Sequence, residues 1–184
     1  MRNRCIWIIA LFVVMLSCSP RTKLISVETP ARPAGQESVL GLAADPIDTV
    51  RVGFVGLGMR GSSAVHRFTS VPDSKITALC DIENDRVQKC AEYLENKGLP
   101  KAETYGGEEE SWKQLCESNN VDLVYICTDW KNHTPIALYA MQCGKHVAIE
   151  VPAATTLDEI WALINMSEKT RKHCMMLENC VYDF

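Results

Sequence analysis

The sequence predicts an α/β fold: a doubly wound parallel sheet of about six strands with helices on both faces. Three observations predict it. From Thr49 onward, short apolar runs alternate six times with longer segments of helical period. The run Val121 to Cys127 is continuous in apolar and β-branched residues, as a strand buried on both faces of a parallel sheet should be. A glycine-rich turn, Gly56-Leu57-Gly58-Met59-Arg60-Gly61, joins the first strand to the first helix. Composition agrees, because 47% hydrophobic and 23% charged residues suit a chain that folds around a core.

Taken in order, Val50 to Val55 is the first strand, and the helix after the glycine turn runs from about Arg60 to Ser70. Lys75 to Cys80 is the second strand. Asn84 to Lys97 is an amphipathic helix with Val87, Cys90, Ala91 and Leu94 on one face, and Gly98 stops it. A weak extended piece at Ala102 to Tyr105 precedes a helix at Glu109 to Glu117. After the strand at Val121 to Cys127, a helix covers Thr134 to Cys143 and ends at Gly144. His146 to Val151 is the fifth strand. Thr156 to Lys172 is a helix capped by Thr155 or Thr156, with Asp158 and Glu159 in its first turn. His173 to Glu178 is the sixth strand. Right-handed crossovers between such units give one parallel sheet. The chain reaches Phe184 at what reads as the start of another helix, so the Rossmann-type unit is read as residues 50–184 and no second domain is expected after the sixth strand.

The first residues differ in kind. Met1-Arg2-Asn3-Arg4 is a basic start, and Ile6 to Leu16 is almost unbroken apolar sequence, too short for a membrane span. Residues 1–17 therefore read as a secretory signal. Met15-Leu16-Ser17-Cys18 resembles a bacterial lipobox, which would make Cys18 the lipidated N-terminus; the plainer alternative is a signal with an incidental cysteine. Residues 18–49 hold Pro20, Pro30, Pro33, Gly35 and Pro46 with few aromatics and read as a flexible tether. The expected location is exported, lipid-anchored to a bacterial membrane, periplasmic or facing the outer membrane. A net charge of −4 without a basic stripe argues against nucleic acid as a partner. No Cys-x-x-Cys pair occurs among the nine cysteines, so zinc-finger and thioredoxin-type readings fail, and no metal is expected. Most of these thiols read as small core residues, with room left for one or two bridges.

The glycine motif carries the chemistry. Gly56 permits a tight turn, Gly58 lets backbone approach a pyrophosphate, and Gly61 lets the helix pack close to the sheet. The free N–H groups at the helix start favour phosphate. Asp81 ends the second strand, twenty residues after Gly61, where a carboxylate binds both hydroxyls of the adenosine ribose and repels a 2′-phosphate. That favours NAD over NADP, although Arg60 in the turn could tolerate added phosphate. The structural alternative for Asp81 is a helix cap. In such folds ligands lie beyond the carboxyl ends of the strands. Trp130 and His133 after the fourth strand, Glu150 and Val151 after the fifth, and Glu178 and Asn179 after the sixth are therefore candidates. For Trp130 and His133 the alternatives are a surface tryptophan and a plain N-cap. His66, His146 and His173 read as inert.

With those residues placed, Val50 to Phe184 resembles the Gfo/Idh/MocA family, whose cofactor half is a Rossmann domain. Within it the chain is most similar to glycoside hydrolase family 109, the NAD-dependent α-N-acetylgalactosaminidases. The likeness rests on Gly56 to Gly61, Ala78-Leu79-Cys80-Asp81, Val124 to Thr128 with Trp130 and His133, and Gly144-Lys145-His146-Val147. It continues through Glu150-Val151-Pro152-Ala153-Ala154 and Cys174 to Cys180. The resemblance implies that Met59, Arg60, Asp81, Trp130, His133, Glu150, Val151 and Asn179 contact NAD. Sugar dehydrogenases of the broad family have a proton-carrying lysine where this chain has Val151. The family 109 glycosidases also have valine there.

The implied mechanism removes hydride from C3 of the sugar, acidifies C2, eliminates the group at C1, adds water and returns the hydride, with retention. A terminal N-acetylgalactosaminide is the implied substrate. Members of the family continue into a substrate domain that this chain is expected to lack, so the catalytic acid and base are unassigned and turnover by the 184 residues alone is not expected. The alternatives are a sugar dehydrogenase of the same family and a non-catalytic NAD-binding module on a lipid anchor. Self-association stays open.

Overall fold

The computed structural model describes residues 28–178. The chain divides into a leading unit, Met1–Ala31, and a main unit, Arg32–Phe184. Of the leading unit, residues 28–31 are described and have no regular secondary structure. The rest concerns the main unit. The signal segment, Cys18 and Asn179 lie outside the described residues.

Six strands and five helices alternate along the main unit. The strands are β1 (Val50–Val55), β2 (Ser74–Asp81), β3 (Glu103–Gly106), β4 (Leu123–Ile126), β5 (His146–Glu150) and β6 (Cys174–Leu177). Between them lie α1 (Met59–Phe68), α2 (Asn84–Asn96), α3 (Ser111–Glu117), α4 (Trp130–Gln142) and α5 (Leu157–Thr170). They form one sheet in the order β3-β2-β1-β4-β5-β6, and every pairing is parallel. This is the doubly wound sheet the alternation predicts.

Neighbouring residues of a strand face opposite sides, and both sides are apolar here. Val55, Val124, Ile126, Val147 and Ile149 pack toward Leu115, Ile136, Met141 and Leu163 of α3, α4 and α5. Val52, Phe54, Ile76 and Leu79 pack toward Val65 of α1 and Val87 and Leu94 of α2. Phe54 stacks on Tyr125 with ring centroids 4.9 Å apart and meets Phe68 edge-on at 5.4 Å. At the other end of the sheet, Arg51 joins β1 to the start of β4. Its Nη2 lies 2.5 Å and its Nε 2.8 Å from the Asp122 carboxylate.

The start of α4 and the end of α5 depart from the sequence expectation, and the start of α5 meets it. α4 begins at Trp130 rather than Thr134. Pro135 suggests a helix start just before it, yet it stands in the helix, one turn in. α5 begins after Thr156, whose side chain accepts the Glu159 N–H while Glu159 reaches back to the cap, a full capping box. It ends at Arg171, a non-glycine residue at φ +55°.

From Arg32 onward, the stretch read as a tether belongs to the main unit. Glu168 on α5 is buried and would be costly without a cation; Arg32 Nε lies 2.9 Å from it. Arg171 Nη1 donates to the carbonyls of Glu37 and Ser38. Among the described residues no helix is long and apolar enough to cross a membrane.

Candidate functional site: a cleft at the carboxyl ends of the strands

Strand order reverses between β1 and β4, and their crossovers leave on opposite faces of the sheet. A crevice must open beyond the carboxyl ends at such a point. The structure has one there, about 320 Å³ in volume, lined by Gly56, Gly58, Asp81, Arg86, Trp112 and Asn132 among others.

The three glycines do different work. Gly56 turns the chain at φ +87°, and a Cβ on it would stand 2.6 Å from the Cys127 carbonyl oxygen. Gly61 presses α1 against the turn, because its Cβ would come within 1.8 Å of the Gly56 oxygen. Gly58 is the reverse case. A Cβ there would meet no protein atom within 4 Å, so the space beside it is open. Gly58 is also the N-cap of α1, which has no side-chain cap hydrogen bond. An uncapped helix start facing open space fits a phosphate pair.

Asp81, at the end of β2, is buried at the cleft wall. Its Oδ2 accepts the Leu57 N–H at 2.5 Å, and its Oδ1 accepts the Glu83 N–H at 2.9 Å. Arg86 Nη1 lies 3.4 Å from the same Oδ1. The carboxylate braces the glycine turn and still borders the crevice. That agrees with a ribose-binding role, and it does not cap α2, whose N-cap is Glu83 without a side-chain bond.

At the β5 side, Arg60 Nε lies 3.0 Å from Glu150, which is buried and also accepts the Tyr125 hydroxyl proton at 3.1 Å. The hydrogen bond from Arg60 to Glu150 holds the guanidinium pKa above its usual value. Burial raises the Tyr125 phenol. Burial also pushes the Cys80 and Cys127 thiols at the cleft up to about 12, which makes them poor nucleophiles. The six described cysteines are all free thiols.

Met59, Ile82, Trp130 and Val151 are exposed apolar side chains, and each follows the carboxyl end of a different strand. Scattered exposed apolar residues need no explanation, but four along one rim suit the flat rings of a ligand. Trp130, 64% exposed, is the N-terminal residue of α4. His133 lies within α4, not at its cap. It is buried, with Nδ1 2.8 Å from the Pro152 oxygen and Nε2 3.0 Å from the Thr128 oxygen. Its ring thus stands between the loop after β4 and the loop after β5. A neutral imidazole carries one N–H, so the tautomer decides which carbonyl it serves.

Of the residues named from sequence, Gly56, Gly58 and Asp81 line the crevice. Arg60 and Glu150 form a pair beside it, and Met59, Trp130 and Val151 stand exposed at the ends of their strands. Gly61 and His133 act behind these. Sequence reading missed Arg86, Trp112 and Tyr125. Arg86 offered a signal, since it falls in the first turn of the helix after a strand-ending aspartate. Trp112 and Tyr125 lay in a short helix and a buried strand and offered none.

Comparison with known proteins agrees with this geometry. The model of the Gfo/Idh/MocA family, described as an oxidoreductase family with an NAD-binding Rossmann fold, matches residues 50–178. A protein of Bacteroides thetaiotaomicron named Glycosyl hydrolase family 109 protein 1 is 58% identical over 180 residues, which is 96% of this chain and 38% of the relative. The chain thus spans well under half the length of that curated relative. Among solved structures, an NAD-binding protein from Listeria innocua aligns with a TM-score of 0.61 at 27% identity, covering 73% of this chain and 37% of that one. A UDP-N-acetylglucosamine 3-dehydrogenase from Acidithiobacillus ferrooxidans aligns at 0.59 and 25% identity, covering 71% and 38%. With a matching family model, a doubly wound sheet and a glycine turn open to phosphate, the chain belongs to the Gfo/Idh/MocA family of NAD-binding oxidoreductases.

Proposed function

We propose that this chain is the NAD-binding half of a retaining glycosidase that acts on terminal α-N-acetylgalactosaminides. The observation that carries this reading is Glu150-Val151-Pro152. Valine stands just after β5, and its side chain neither gives nor takes a proton. A dehydrogenase that moves a sugar hydroxyl proton at this position needs a titratable group there. The 58% identity to a family 109 protein supports the same reading.

Bound in the crevice, NAD would supply a reversible hydride acceptor for C3 of the sugar. The chain's own residues bind and orient. The first N–H groups of α1, beside Gly58, receive the pyrophosphate. Asp81 accepts hydrogen bonds from the adenosine ribose. Glu150, fixed by Arg60 and Tyr125, accepts from the nicotinamide half. Val151 and Trp130 give that half an apolar border that excludes water. The catalytic acid and base are not assigned to these residues.

A protein carrying this domain, given p-nitrophenyl α-N-acetylgalactosaminide in D₂O, should release nitrophenol with retention, place deuterium at C2 and accumulate no NADH. Accumulation of NADH would establish the second reading, a sugar dehydrogenase, which the 3-dehydrogenase among the structural relatives favours. The 184-residue chain alone should bind NAD without hydrolysing the glycoside, and measurable hydrolysis by it would refute that part. Neither activity in any form, with NAD still bound, would favour a non-catalytic module.

The proposal extends to location. The basic start, the apolar run Ile6 to Leu16 and the Leu16-Ser17-Cys18 pattern support export and acylation at Cys18. Labelled palmitate should enter the wild-type protein in a bacterial host and be absent from C18A.

A further inference from the structure

His146 and His173, which read as inert in the sequence, meet at the amino ends of β5 and β6. His146 opens β5, and its Nδ1 accepts the backbone N–H of His173 at 3.0 Å. A ring nitrogen accepts only through its lone pair, so this bond fixes His146 as the neutral ring with its proton on Nε2. One residue on, the Val147 N–H donates to the His173 carbonyl at 2.9 Å. The two bonds together seat the residue that leads into β6, a four-residue strand that comes last in the sheet order. The two imidazoles stack with centroids 5.1 Å apart. They border a cavity of about 320 Å³ lined also by Asp45, Asp122, Leu123 and Met175.

We propose that His146 is a proton-sensitive latch on β6: a second ring proton breaks its bond to His173 and lets β6 open from β5. A protonated Nδ1 is a donor, and it would face the His173 N–H, another donor. The surrounding charges set how readily the ring takes that proton. Lys172 and His173, which lead into β6, oppose it. Lys145, the chain neighbour, turns its ammonium to the Ser118 carbonyl. Asp122, just before β4, favours the proton, but Arg51 on β1 already takes that carboxylate. Asp45, from the segment before β1, is exposed at the cavity, where solvent and salt screen its charge. Burial first, then Lys172 and His173, hold the ring below its ordinary value of 6.5 in the closed form. Once β6 opens, the ring meets water and regains that value, so the open form takes up the proton more readily. The latch is therefore complete above about pH 6.5 and weakens as pH falls below it. It is independent of what the crevice holds, since the crevice opens at the opposite, carboxyl ends of the strands.

Amide exchange of the 184-residue chain, followed by NMR at about pH 7.5 and about pH 5.5 and corrected for intrinsic rates, tests the latch. Protection of the His173 and Val147 amides should fall about three- to tenfold in acid, tenfold being the linkage limit one unit below the ordinary value. The Gly56 amide, which donates to the Cys80 carbonyl between β1 and β2, should keep its protection. H146N leaves an amide oxygen to accept the His173 N–H and cannot titrate, so protection should be the same at both pH values. H146F has no acceptor, and protection should be low at both. The ring nitrogen shifts of His146 in wild type should show an unprotonated Nδ1 at the higher pH. A protonated Nδ1 there, no acid loss in wild type, an equal loss in H146N, or a loss of the same size at Gly56 would overturn the proposal.

Discussion

Gly58 and Gly61 lie three residues apart in one motif, yet the structure predicts opposite consequences for adding a methyl group. At Gly61 the new Cβ would sit 1.8 Å from the Gly56 carbonyl oxygen and 2.8 Å from its carbon. No rotamer relieves a clash with backbone, so α1 must move off the sheet. Overpacking of this severity costs about 3 kcal/mol, and for a chain of this size Tm should fall by roughly 6–12 °C. At Gly58 no protein atom lies within 4 Å of the new Cβ, and the backbone, at φ −64°, already suits alanine. Reduced chain entropy in the unfolded state and a poorer N-cap nearly offset each other, so stability should change by less than about 1 kcal/mol. The methyl would instead occupy the space a pyrophosphate needs. A clash of about 1–3 kcal/mol raises Kd by roughly 5- to 150-fold. Thermal unfolding and NADH titration of G58A and G61A, side by side, measure both effects. If G58A keeps wild-type NADH affinity within about twofold, the pyrophosphate does not lie over Gly58 and the placement of the cofactor is wrong.

Three further outcomes follow from the packing and the charges. F54A removes a fully buried ring that contacts both Tyr125 and Phe68 and should cost about 3–5 kcal/mol in denaturant unfolding. The hydrogen bond from Arg51 holds the Asp122 carboxyl below its usual range; the stabilisation is therefore complete above that range, about pH 3.9, and is lost as pH falls through the lower folded value. D122N should thus lower Tm at pH 7 by an amount worth about 1 kcal/mol, allowing for the exposure of Arg51, and the gap to wild type should close in acid. Because burial raises the Cys80 and Cys127 thiols to about 12, iodoacetamide at pH 8 should leave both unmodified in the folded chain and alkylate both in denaturant, as read by peptide mass.

The sheet was legible in the sequence because its inner strands are buried on both faces, which forces continuous apolar runs such as Val121 to Cys127. The glycine turn was legible because only glycine meets the close approaches at Gly56 and Gly61. The first turn of α4 was not, since Pro135 reads as a helix start while the chain is already helical from Trp130. The role of His133 was hidden for a related reason. Its partners, the carbonyls of Thr128 and Pro152, belong to two loops that only the sheet order brings together. The anchoring of Glu168 by Arg32 joins residues 136 positions apart, a separation no local pattern reveals. Arg86 beside Asp81 is local, but its meaning depends on the crevice being present.

The central claim is that the crevice beyond β1, β2 and β4 holds NAD. It is tested most directly by titrating wild type and D81A with NADH while following emission sensitised by tryptophan. The account predicts saturable one-to-one binding to wild type and a Kd raised about tenfold or more in D81A, which loses charge-assisted hydrogen bonds to the ribose. Equal affinity of the two proteins, or no saturation in wild type, would contradict it.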